Sequence, residues 1–195
     1  MENTLTMHSF IDIFAYKIYK EKLLSHGDIR KMKYAMRVIW NEGLKFVILL
    51  SLFTMLNKMY LFLFCLSLLL SIRAFSGGLH FESSFLCLIV SLSFFSLAIL
   101  ILPYLLPMPL PLAILLILIS IIVICCYSPM PSRFRPISNQ KRKRILKYLS
   151  LFFTLLWIYI LFKFVFTYDK TFFECGIWTI GLQAFQLLIG RRGYQ

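Results

Sequence analysis

At 195 residues, with 60% hydrophobic and only 15% charged residues and a mean hydropathy of +0.81, the chain is too apolar for a water-soluble domain. Such domains are about one-quarter charged. Long apolar runs recur, so the bilayer is the solvent, and lipid leaves only hydrogen-bonded helices or closed barrels; residues 112–126 show no alternating polarity, which excludes the barrel and predicts an all-α fold.

The first segment, 11–40, is amphipathic. Phe10, Ile11, Phe14 and Ile18 form one stripe and Ile29, Met32, Met36 and Ile39 another, with the break at residues 25–28. Lys17, Lys20, Lys22, Arg30, Lys31, Lys33 and Arg37 take the other faces, the pattern of helices lying in a membrane interface or packing on the bundle itself. No secretory signal is expected, since this region has scattered charges and no continuous apolar core ending in a small-residue cleavage site.

Six spans follow, at 43–56, 59–72, 85–102, 112–127, 148–166 and 176–190. The first two are short against the usual 20 or so apolar residues, so they borrow polar flanks or thin the bilayer locally. The expected architecture is a polytopic bundle of six short transmembrane helices within a single membrane domain, 1–195. Residues 1–42 form amphipathic helices on the cytoplasmic face, 43–190 the bundle and 191–195 a basic tail. Of all the lysines and arginines, only Lys58, Lys163 and Lys170 fall on the far side when the N-terminus is cytoplasmic, so both termini are expected in the cytoplasm.

The charge of +13 flanks spans and forms no soluble basic patch with aromatic platforms, so the lipid bilayer is its partner and nucleic acid is not. Cys65, Cys87, Cys125, Cys126 and Cys175 are an odd number without CxxC or His-paired spacing. Neither a disulfide framework nor a metal site is expected, nor any cofactor. His8 and His26, in the polar N-terminal region, are assigned no role.

One polar stretch lies close to lipid, residues 73–87, and it carries Arg73, Ser76, Gly77, Gly78, His80, Glu82, Ser83, Ser84 and Cys87. Ionisable groups at membrane depth cost several kcal/mol unless partnered, which marks a site. A Cys near a His suggests nucleophilic catalysis, the imidazole taking the thiol proton and returning it to a leaving amine. In one straight helix His80 and Cys87 would share a face about 10.5 Å apart, too far to hydrogen-bond, so a break is required. Gly77 and Gly78 permit a turn with positive φ, and Ser83 or Ser84 is a good cap for a helix carrying Cys87 in its first turn, where exposed amides and the macrodipole favour an anionic sulfur. Arg73 and the glycine amides would supply donors to an oxyanion, or Arg73 is a snorkelling anchor. Glu82 either orients His80 or faces solvent. The other four cysteines have no ionisable neighbour and read as packing residues.

Arg73, Gly77 and Gly78, then His80 and Cys87, between two spans on the cytoplasmic side, resemble the signature of the accessory gene regulator B family, membrane endopeptidases of Gram-positive quorum sensing. Residues 127–137, with Pro129, Pro131 and Pro136 around Arg133 and Arg135, resemble that family's proline-bracketed basic loop, and 181–184 its last span. Pro131 stands where the family usually has an aspartate. The resemblance implies that Cys87 attacks a backbone carbonyl of a short precursor peptide with an amphipathic leader and an acidic C-terminal tail, with His80 as acid and base. The tail leaves, and a Cys or Ser of the peptide captures the thioester as a cyclic thiolactone or lactone. It also implies a homodimer. An acidic tail would be drawn to basic residues such as Arg133, Arg135, Lys141 and Arg142. A small transporter or peptide exporter subunit is the competing reading, since an intramembrane Arg, His and Glu also suit a relay, although no inverted repeat is visible. A noncatalytic scaffold is a third.

Overall fold

The computed structural model describes residues 26–78, 83–130 and 139–192. Among the described residues there is no strand, and six helices are long and apolar enough to cross a membrane. They are α1 (His26–Met55), α2 (Met59–Ser76), α3 (Ser84–Leu105), α4 (Leu110–Tyr127), α5 (Gln140–Tyr168) and α6 (Lys170–Arg192). The protein is an all-α polytopic membrane protein, as its composition predicts.

Each expected span falls in one of these helices, but the helices outrun the apolar residues. A helix ends where its backbone is capped and not where hydropathy falls. Asn139 caps α5 through Lys141 N–H (2.9 Å), so the basic residues 141–144 are already helical, and Asp169 caps α6 through Thr171 N–H (2.8 Å). The second amphipathic stripe and the first span likewise form one continuous helix, α1. Gly43 alone does not interrupt it, and a Glu42–Lys45 ion pair bridges that point one turn apart. The first amphipathic stripe lies outside the described residues.

The chain divides into two compact units, residues 1–52 and 53–195. The first is described only as the body of α1. In the second, α6 is the central helix: 61% of its membrane-length stretch is buried, against 28% in α4. The least hydropathic span of the six is the most buried, and the most hydropathic, α4, shows much of its surface to lipid. Polarity explains the ordering, because Glu174, Thr179, Gln183 and Gln186 of α6 would be costly against hydrocarbon and are all buried among protein groups. Around them Leu68 and Ile72 of α2, Ala113, Ile117 and Ile124 of α4, Leu161 of α5 and Phe173, Ile177, Ile180 and Leu187 of α6 form one apolar core.

Small residues let helices approach α6. A Cβ at Gly176 would lie 2.5 Å from Leu161 Cδ2, and one at Gly181 3.1 Å from Leu116 Cδ2. Two helices widen locally. In α3 the turn Leu97–Ile101 is π-helical, with Leu102 N–H bonded to Leu97 O, just where Pro103 lacks an N–H and its ring would crowd the carbonyl of the preceding turn. In α5 the turn Leu161–Val165 is π-helical and sets Leu161 against Gly176.

Between α1 and α2, Asn57 adopts φ 55°, with Asn57 N–H on Thr54 O (3.0 Å) and Lys58 N–H on Phe53 O (2.8 Å), a paired C-terminal cap. Beside it Phe53 stacks on Phe62 (5.0 Å), and Phe95 of α3 meets Phe62 edge-on at 4.9 Å.

Leu161 is fully buried and cannot swing away from a side chain at 176. Gly176→Val is expected to lower stability by about 1–3 kcal/mol through overpacking, read as thermal unfolding in detergent, whereas Phe185→Ala, at an exposed α6 position, is expected to change it little.

Candidate active site

The element carrying the candidate nucleophile begins where the capping residues place it. Ser83, extended at φ −85° and ψ 122°, is the N-cap of α3, and its hydroxyl accepts Leu86 N–H weakly at 3.5 Å. Cys87 N–H bonds Ser83 O at 3.1 Å, the first intrahelical bond, so Cys87 closes the first turn as expected. Its side chain is half-buried. The backbone N–H groups of Ser84 and Phe85, ahead of the first helical bond, give this helix end its positive potential.

The preceding helix ends in a dense polar junction. Gly77 N–H bonds Arg73 O (3.0 Å), and Gly77 then takes φ 77° and ψ −168°, a combination open essentially to glycine alone. Met130 N–H, from the segment after the cis Ser128–Pro129 peptide, bonds Ser76 O at 2.9 Å. Gln183 of α6 donates from Nε2 to Ser76 Oγ (3.0 Å) and to Gly77 O (2.9 Å), and Ser76 Oγ itself donates to Gly77 O (3.1 Å). Carbonyls that a helix end leaves without partners are thus filled by other parts of the fold, which a site at membrane depth requires.

Arg73 is folded onto this junction. Its Nη1 reaches Gln186 Oε1 at 3.5 Å, and its guanidinium lies so close over Gly78 that a Cβ there would sit 2.9 Å from Nε. The two glycines therefore serve different ends: Gly77 supplies the backbone conformation, and Gly78 supplies room. Below them Ser128 Oγ and Ser150 Oγ are 2.7 Å apart, and Trp157 Nε1 donates to Ser71 Oγ at 2.6 Å, fastening α5 to α2 and to the 128–130 segment.

Of the sequence-predicted residues, Arg73, Ser76, Gly77 and Gly78 come together at the end of α2, and Cys87 stands at the start of α3 on the same side of the bundle. His80, Glu82, Arg133 and Arg135 lie outside the described residues. Lys141 and Arg142 are exposed in the first turn of α5. Cys65 and Cys175 are buried in the bundle. Among the described residues no group of His, Cys, Asp and Glu is arranged to hold a metal ion.

The model of the family described as accessory gene regulator B matches residues 11–187. The chain belongs to that family. A Clostridium beijerinckii protein described as AgrB-like is 29% identical over 138 residues, covering 70% of this chain and 69% of its own length. The accessory gene regulator protein B of Staphylococcus carnosus (strain TM300) is 30% identical over 140 residues, covering 69% of this chain and 70% of its own. No solved structure matches. The match to the accessory gene regulator B family takes in α2 to α5 entire and α6 through Leu187, so it contains the whole polar junction.

Motif reading touched Gln183 only as part of the 181–184 resemblance and gave no role to it or to Gln186. Their signal was there: two amides three positions apart in an apolar span face one way on a helix and must be partnered inside the bundle.

The two glycines give different expected outcomes. Gly77→Ala forces a side chain into its φ and sets a Cβ 2.8 Å from Met130 O, so it should cost about 1–3 kcal/mol in unfolding experiments in detergent. Gly78→Ala, displacing only a flexible guanidinium, should cost less.

Proposed function

We propose that the protein is a membrane-embedded cysteine endopeptidase that cleaves a small signalling-peptide precursor and leaves it as an acyl-enzyme for cyclisation. The observation that carries this reading is Cys87 half-exposed in the capped first turn of a membrane helix that starts a few residues along the chain from the hydrogen-bonded junction of Arg73, Ser76, Gly77 and Gly78. Membership of the accessory gene regulator B family and the presence of His80 between them in the sequence support it.

In this mechanism the Cys87 thiol passes its proton to His80, and Sγ attacks the carbonyl carbon of the scissile peptide bond. The amides at the start of α3 stabilise the anionic sulfur, and Arg73 lies where positive potential would balance charge on the attacked oxygen. The C–N bond breaks as His80 returns the proton to the leaving amine, the acidic tail departs, and a Cys87 thioester remains. A thiol or hydroxyl of the bound peptide then attacks the thioester carbonyl, its proton passing through His80 to Cys87, which closes a thiolactone or lactone. Exchange of one acyl-sulfur bond for another conserves activation that water would destroy, so a site against lipid is an advantage.

The basic start of α5 agrees with an acidic substrate. Lys141, Arg142, Lys143 and Arg144 stand exposed at a helix N-terminus, where positive charge opposes the macrodipole. An acidic tail or anionic headgroups would offset that. An excess of lysine and arginine in the segments next to the spans supports a cytoplasmic location for both chain termini as part of this reading.

Cys87→Ala and His80→Ala are each expected to abolish cleavage of a co-expressed peptide having an amphipathic start, a central Cys or Ser and an acidic end, at unchanged membrane levels. Cys65→Ala should be near neutral. Retained cleavage in Cys87→Ala removes the mechanism, and a thioester on Cys87 seen by mass spectrometry supports it. Replacing Lys141 and Arg142 together by Gln should raise KM several-fold with kcat preserved, an effect that shrinks as salt is added.

A further inference from the structure

Gln183 has no part in the chemistry above, yet its buried side chain reaches from α6 to the end of α2. It is 0% exposed, and both of its amide hydrogens are used, on Ser76 Oγ at 3.0 Å and Gly77 O at 2.9 Å. Its Oε1 has no partner. A buried amide left half unsatisfied is disfavoured in a low-dielectric interior, and an apolar residue would fill the same space without that cost. What Gln183 achieves is therefore on its donor side. The amide cannot be reversed, because that would set an oxygen against the Gly77 carbonyl, which only accepts.

The atoms it holds lie at the end of α2, a few residues before His80 in the sequence. Gly77 O receives both Gln183 Nε2 and Ser76 Oγ, so both its lone pairs are engaged and the plane of the peptide group between residues 77 and 78 is set. Met130 N–H on Ser76 O holds the preceding peptide group. These bonds fix the exit of α2, three residues before His80 in the sequence.

We infer that Gln183 is a positioning residue: it clamps the Ser76–Gly77 corner of α2 to α6 and so fixes the point from which the chain runs on to His80 and Cys87. The inference rests on the cysteine endopeptidase reading for its catalytic consequence, but the clamp itself is a property of the fold. One turn earlier on α6, Thr179 is equally buried, with Oγ1 donating to Cys175 O at 2.7 Å and meeting the Cys65 side chain of α2 rather than the Ser76–Gly77 corner, and it provides the control.

The test uses the full-length chain in detergent, with two readouts: hydrogen exchange of residues 76–83, and the rate at which iodoacetamide alkylates Cys87 at neutral pH, followed at that peptide by mass spectrometry. Gln183→Met keeps the volume and removes the donors. It is expected to speed exchange across 76–83 and to slow alkylation about tenfold, to the level of His80→Ala, while Thr179→Val matches the parent in both. Gln183→Glu retains one donor when protonated, so it should fall between, with a deficit that widens as pH rises and the carboxyl ionises. Should Gln183→Met fail to accumulate, that pH-dependent deficit decides the matter. Parental exchange and alkylation in Gln183→Met, a flat deficit in Gln183→Glu, or equal losses in Thr179→Val would overturn the inference. If His80→Ala alkylates at the parental rate the endopeptidase reading fails instead, and exchange across 76–83 still reports whether the clamp exists.

Discussion

Hydrocarbon offers no partner to a polar group, and the described bundle is organised around the helix that carries more buried polar side chains than any other. Glu174, Thr179, Gln183 and Gln186 compel α6 into the centre, where α2, α4 and parts of α3 and α5 cover it. The hydrophobic effect cannot supply this ordering, because lipid tails are as apolar as the leucines that face them; packing of small residues and satisfaction of polar atoms decide it. At the far end from the candidate site the same rule operates, with Glu174 accepting Met108 N–H (3.4 Å) and lying 3.7 Å from Lys170 Nζ.

The candidate site is the other place where polarity meets membrane depth. Its solution is a helix end whose exposed carbonyls are taken up from three directions: by its own chain at Gly77, by the 128–130 segment and by α6. Interhelical hydrogen bonds in membranes average about 0.6 kcal/mol each, so no single bond holds the corner. Several together, with a backbone conformation only glycine tolerates, define one geometry.

Stability and function draw on overlapping residues here. Gly176 and Gly181 serve only packing, Gly77 and Gly78 serve only the corner, and Gln183 joins the two because it sits in the packed helix and grips the corner. Substitutions along α6 therefore separate into those felt as loss of fold and those felt as loss of alignment.

Much of the architecture was legible in the residues alone. Hydropathy and length give six spans, all helical, because lipid permits nothing else of that composition; Ser83 or Ser84 before an apolar run gives the start of α3, and Gly77, His80 and Cys87 mark the polar stretch between two spans. Helix ends were misjudged by up to two turns, since capping by Asn139 and Asp169 is local chemistry that hydropathy does not register. Only the tertiary structure decided which helix is central and which amide reaches the corner of α2. Those facts depend on contacts between residues about a hundred positions apart, Gln183 with Ser76 and Arg73 with Gln186, and periodicity along a single chain carries no information about which distant surface a side chain will meet.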